Sequence, residues 1–187
     1  MRNIFLTFLA LSLSFVGIPI YVNISDFYAR KFGISLIVIG LVLAIVRFID
    51  SIQDPFIGKL SDNLSQKNIS RKITISISGI FLCLFFYFVF NPPQNISQNL
   101  AILWFIVTLS ATYFCFNFIF INFESIIAIN SKNDQERVIL NSFKEFFGIL
   151  GMILAFTIPT ILAKYYESEK VYQNFSLIFV FLLIIGL

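Results

Sequence analysis

The chain has no histidine, and its two cysteines, Cys83 and Cys115, stand apart inside apolar runs. Without an imidazole the commonest general base is missing, and Ser/His or Cys/His nucleophilic catalysis is unavailable. With no CxxC pair and no His, no zinc or haem ligand set can be assembled, so the cysteines read as small apolar fillers. Charge is scarce too: 12% of residues are Asp, Glu, Lys or Arg, against about 25% in a soluble domain. No cluster of His, Asp or Ser marks a lipid-modifying centre, and the chain is expected to be no enzyme and to carry no cofactor. The net charge of +3 comes from short basic clusters between apolar runs, without the basic stripe a nucleic-acid partner would require.

What is present is apolar. Hydrophobic residues make up 58% of the chain and aromatic ones 18%, including 25 Phe, and the mean hydropathy is +0.90. Six apolar stretches, 4–24, 36–58, 73–90, 100–129, 146–163 and 175–187, are separated by brief polar connections. The first five can supply the roughly 17–25 helical residues that cross about 30 Å of hydrocarbon. The sixth, of about thirteen residues, reads as a truncated span. Continuous apolar runs rather than alternation select helices over a barrel. The expectation is an all-α membrane protein with one helical domain over 1–187, embedded in a lipid bilayer.

Orientation follows from the basic residues. With the N-terminus cytoplasmic, Arg2, Lys59, Lys67, Arg71, Lys72, Lys132, Arg137 and Lys144 lie inside, and only Arg30, Lys31, Lys164 and Lys170 lie outside. That bias predicts a multi-pass protein of the plasma (inner) membrane with its N-terminus in.

Charge enters the second stretch as Arg47, Asp50 and Asp54. Offsets of three and four put all three on one helical face, and at about 2.5–3.5 kcal/mol each at mid-membrane they should face the bundle interior or a wet cavity. Arg47 offsets one carboxylate and leaves one negative charge, an arrangement suited to a monovalent cation or a shared proton. Pro55 frees the carbonyl of Ser51, adding oxygen ligands nearby. The alternative is a structural Arg47–Asp50 pair, with Asp54 merely closing the helix near the inner interface. Tyr21, Tyr28, Asn117, Asn122 and Glu124 are candidates for a solute cavity, with interhelical hydrogen bonding the alternative for the polar three.

Gly33-x-Ser35, Gly40 and the run R-F-I-D-S-I-Q-D-P-F-I-G-K-L-S-D from Arg47 to Asp62 resemble the glycoside-pentoside-hexuronide cation symporters, the melibiose-carrier-like family of the major facilitator superfamily. Pro19-x-Tyr21, Asp26-Phe27-Tyr28, Glu136-Arg137 and Lys144-Glu145-Phe146-Phe147-Gly148 agree with it. The resemblance implies the N-terminal six-helix part of a twelve-helix carrier built of inverted three-helix repeats. It also implies a coupling ion, Na⁺ or H⁺, at Asp50 and Asp54 with Arg47 nearby, and a small, sugar-like solute. Gly58, Asp62, Arg71 and Lys72 match the superfamily's cytoplasmic loop motif, although Asn63 stands where an arginine is common. Three positions depart from melibiose-type members: Ser14 replaces a sugar-contacting acid, Lys144 an arginine and Ala128 a proline. Symport is therefore expected of an intact parent protein. The alternative for the chain as it stands is a truncated, non-transporting fragment, or a half-carrier needing a separate C-terminal half.

Overall fold

The computed structural model describes residues 6–187 and is all-helical over them. Ile4 and Phe5, at the start of the first apolar stretch, and Arg2 of the orientation argument lie outside the described residues. A 3₁₀ turn, Leu6–Phe8, leads into α1 (Leu9–Leu13) and α2 (Ile18–Phe32). The remaining helices are α3 (Leu36–Gln66), α4 (Arg71–Phe90), α5 (Gln98–Asn130), α6 (Asp134–Leu162) and α7 (Ser168–Gly186). Among the described residues, five helices are long and apolar enough to cross a membrane, and these are α3 to α7.

The first apolar stretch is not one helix. It breaks over residues 14–17, between α1 and α2. Pro19 has no N–H for the carbonyl of Phe15 four residues back, and the chain tightens into i→i−3 bonds, from Phe15 N to Ser12 O and from Val16 N to Leu13 O (3.1 and 3.0 Å). Beyond the break α2 runs on to Phe32, past the polar residues expected to form a loop. Arg30 pairs with Asp26 one turn back at 2.6 Å, and Gly33 ends the helix in the left-handed region (φ 64°), where a residue without Cβ carries no steric penalty.

The other helices outrun their apolar stretches for the same reason. Hydrophobicity marks the part at hydrocarbon depth, while the polar flanks remain helical. α3 spans 31 residues, about 46 Å at 1.5 Å per residue. α6 begins twelve residues before its apolar stretch, capped by Asn133 Oδ1, which accepts the Glu136 N–H at 2.8 Å. α7 starts at Ser168 rather than 175, which gives it 19 residues.

Packing is pairwise. α4 lies along α5 and α7, α3 along α5, and α1 along α6 and α7. Taking α1–α2 as the first span, this pattern maps onto itself when the first three spans are exchanged with the last three, the relation expected of an internal repeat. The core between them is aromatic: Phe86 sits 4.1 Å from Phe179 by ring centroids, and Phe15, Phe90 and Phe175 close the cluster. Outward-facing Phe and Ile side chains are exposed on the bundle surface, as a lipid-facing surface requires.

One approach is close enough to fix a residue. A Cβ on Gly151 would stand 2.1 Å from the carbonyl oxygen of Leu11, so α6 meets α1 only because position 151 has no side chain. Gly151→Ala should therefore destabilise the bundle by about 1–3 kcal/mol, read as a lower midpoint in thermal circular dichroism. Gly40→Ala, at a position inside α3 with nothing within 4 Å of the added carbon, is the control and should not lower the midpoint, since alanine is the better helix former.

Candidate functional site

Three polar clusters are built on the inner faces of these helices. In the first, the offset of three along α3 places Arg47 Nη1 3.0 Å from Asp50 Oδ2. Asp50 is buried and Asp54 exposed. From α5, Asn117 Nδ2 donates to Asp50 Oδ1 at 2.7 Å and to Asp54 Oδ1 at 2.9 Å. The two carboxylates are thus tied by a single amide group, while Arg47 neutralises only one oxygen of Asp50. The rings of Tyr21 and Tyr113 carry the Arg47 guanidinium carbon, 5.0 and 5.1 Å from their centroids. Ser51 is exposed and its hydroxyl proton is engaged, donating to Phe48 O at 2.8 Å.

The second cluster joins α5 to α6. Lys144 Nζ lies 2.7 Å from Glu124 Oε1 and 3.2 Å from Glu145 Oε1. It borders a cleft of about 210 Å³ lined also by Ser14, Phe116, Phe120 and Gly148. The break between α1 and α2 brings Ser14 to this cleft, and its hydroxyl bonds back to Ala10 O at 2.9 Å. Ser14 and Lys144, two of the positions that depart from the melibiose-type pattern, thus line one cleft.

The third cluster lies where α3 turns into α4. Ser61 Oγ donates to Asn122 Oδ1 at 2.9 Å, Arg71 Nη1 reaches both Ser61 Oγ (2.9 Å) and Asn122 Oδ1 (3.3 Å), and Arg71 Nη2 lies 3.5 Å from Asp62. Asp62 and Arg71 of the loop motif come together here. Gly58 has open space where a Cβ would be, and Lys72 is exposed beside a separate cleft lined by Leu9, Ile126 and Leu187.

The candidate cavity residues therefore separate. Tyr21 and Asn117 join Arg47, Asp50 and Asp54; Glu124 joins Lys144; Asn122 joins the loop cluster. Tyr28 joins none of them: it is fully buried, stacked on Phe105 at 4.3 Å, and its hydroxyl donates to Val89 O at 3.0 Å. A tyrosine with its ring in the core and its hydroxyl satisfied by a carbonyl has nothing left to offer a solute. Tyr113 is not among the candidates that the sequence offers, and Ser61 stands there only as part of the run ending at Asp62. Tyr113 sits one turn before Asn117 on α5, and that spacing of four is the signal that would have found it.

Over residues 5–187 the chain matches the family described as MFS/sugar transport protein. It is similar to the isoprimeverose transporter of Lactiplantibacillus pentosus, 29% identical over 157 residues that make up 84% of this chain and 32% of that one. An uncharacterized symporter of Bacillus subtilis is 29% identical over 159 residues, 81% of this chain and 33% of the relative. An uncharacterized symporter of Synechocystis is 28% identical over 170 residues, 85% and 31%. No solved structure matches the chain. It spans about a third of the length of these curated relatives. With its membrane-length helices in this packing and the family match over nearly every residue, the chain belongs to the MFS/sugar transport protein family, a group of integral multi-pass transporters rather than enzymes.

Proposed function

We propose that these helices form the cation-binding part of a symporter for a small, sugar-like solute, with Asp50 and Asp54 holding the coupling ion, Na⁺ or H⁺, and Arg47 balancing half of their charge. The observation that carries this reading is the single Asn117 amide shared by both carboxylates. Two carboxylates and one guanidinium leave a net negative charge within about two helical turns, and a cation entering between Asp50 and Asp54 would replace the weaker amide dipole. The carbonyl oxygen of Asn117 is then available as a further ligand by rotation of the side-chain amide. The cleft of Ser14, Lys144 and Gly148 supplies the solute side. Apolar walls with one ion pair suit a small hydroxylated molecule, in keeping with the named substrate of the Lactiplantibacillus relative. The cytoplasmic bias of the basic residues supports an N-terminus inside the plasma membrane, with Asp62 and Arg71 as a latch at the cytoplasmic turn.

The relatives are about three times longer than the stretch they share with this chain, so transport is proposed of an assembly in which these helices meet the remaining part of such a carrier. The second reading, a chain that does not transport, has the same observation in its favour. Vesicles holding this chain alone, and vesicles in which it is co-produced with the C-terminal part of the isoprimeverose transporter, separate the two. Isoprimeverose uptake stimulated by an inward Na⁺ or H⁺ gradient is expected only in the second set. No uptake in either set favours the non-transporting reading.

A further inference from the structure

The Arg47 guanidinium is held by more than its carboxylate. Its central carbon lies 5.0 Å from the ring centroid of Tyr21 and 5.1 Å from that of Tyr113, while those rings are 5.8 Å apart and within 22° of parallel. These distances place the cation over the seam between the two rings rather than between their faces. Tyr113 is buried and comes from α5; Tyr21 comes from α2; Arg47 comes from α3. Three helices therefore converge on one positive charge. The same face of α5 carries Asn117 one turn later, and Asn117 binds the two carboxylates. α5 thus offers a ring face to the cation and an amide to the anions of a single α3 segment.

We propose that Tyr21 and Tyr113 are positioning residues that hold Arg47 on the outer oxygen of Asp50 and keep it out of the gap between Asp50 and Asp54. This rests on the reading of that carboxylate pair as the cation site. Arg47 is half exposed, 54% of its side chain against 7% for Asp50, so the ion pair alone leaves a long side chain free to move. The ring quadrupoles attract the guanidinium over their faces. Held there, Arg47 donates to Asp50 Oδ2 and leaves Oδ1, which faces Asn117 and Asp54, for an incoming ion. Released, the guanidinium can turn into the gap, where it competes with a metal cation for both carboxylates. The clamp therefore sets how strongly the protein's own cation opposes the transported one.

The experiment is ²²Na⁺ binding to the purified 187-residue chain in lipid nanodiscs, with helical content and thermal midpoint recorded for every variant. Tyr113→Leu should weaken Na⁺ binding about tenfold, the scale of a partly desolvated cation–π contact. Tyr113→Phe, which keeps a ring face, should restore binding to near the starting value. In an Arg47→Gln background Tyr113→Leu should change Na⁺ binding by less than twofold, because the residue acts through Arg47. If Tyr113→Leu does not fold, Tyr21→Leu, at a half-buried ring, carries the same test. The clamp is overturned if the leucine variant weakens binding equally in the Arg47→Gln background, or if phenylalanine is as damaging as leucine. An unmutated chain that binds neither Na⁺ nor Li⁺ overturns the Na⁺-site reading of the carboxylate pair, on which the clamp rests, and that outcome is distinct from a loss of coupling between Tyr113 and Arg47.

Discussion

Asp50→Asn should lower Na⁺ affinity at least a hundredfold and abolish Na⁺-stimulated uptake in the reconstituted assembly. The size follows from charge. One carboxylate about 4 Å from a monovalent cation is worth roughly 4 kcal/mol at an effective dielectric constant near 20, and the substitution also takes away the partner of Arg47, 3.0 Å away. The unpaired guanidinium and the remaining Asp54 then sum to zero, and no net attraction for a cation is left. Asp54→Asn should act in the same direction with a smaller effect, because Asp54 is exposed and water screens its field. Thermal stability separates this from a purely structural ion pair. Saturating Na⁺ should raise the melting midpoint of the unmutated chain, since a ligand bound only to the folded state stabilises it. That Na⁺-dependent rise should vanish in Asp50→Asn. A lower midpoint that still rises with Na⁺ would show that Arg47 and Asp50 serve packing alone.

The half of this site on α3 is legible in the sequence because it is local. Offsets of three and four determine which side chains share a helical face before any tertiary contact forms, and Arg47, Asp50 and Asp54 emerge on one face. The half on α5 is not local. Asn117 is 67 residues from Asp50, and nothing in the composition of a Phe-rich helix says which of its polar groups meets which partner. Hence Asn117, Asn122 and Glu124, alike on paper, go to three different clusters. Tyr28 shows the same limit in reverse: a tyrosine near a helix end suits a cavity wall or a core equally well, and only the packing of α4 and α5 decides for the core. Element ends divide along similar lines. The early start of α6 is written in Asn133-x-x-Glu136, a cap with an acid three residues on, and the structure shows Lys132 N donating to Glu136 and Glu136 N to Asn133. The break between α1 and α2 is marked in the sequence only by Pro19, because an apolar run reports lipid depth and is silent about whether the backbone within it stays helical.

Glu124 and Lys144 should show a coupled loss. Lys144→Met leaves the Glu124 carboxylate without its 2.7 Å partner. A fully buried pair broken in this way costs about 3–5 kcal/mol and a surface pair at most about 1 kcal/mol. The side chains here are 16% and 36% exposed for lysine and glutamate, between those limits, and a loss of about 2 kcal/mol in stability is expected once solvent screening is allowed for. Glu124→Gln alone should cost less, because Lys144 keeps Glu145 at 3.2 Å. The double variant should recover most of the stability lost in Lys144→Met, since a neutral amide beside a thioether leaves no charge stranded inside the bundle, and the Glu145 carboxylate, exposed, is left to water. Uptake should behave differently. Lys144 borders the cleft with Ser14, and losing one charged hydrogen-bond donor to a solute costs about 1.5–3 kcal/mol, tenfold or more in apparent affinity for isoprimeverose. That loss should persist in the double variant, where the fold is restored and the donor is not. Equal stability losses in single and double variants would deny the coupling between the two side chains. Normal uptake by Lys144→Met would move the solute out of this cleft.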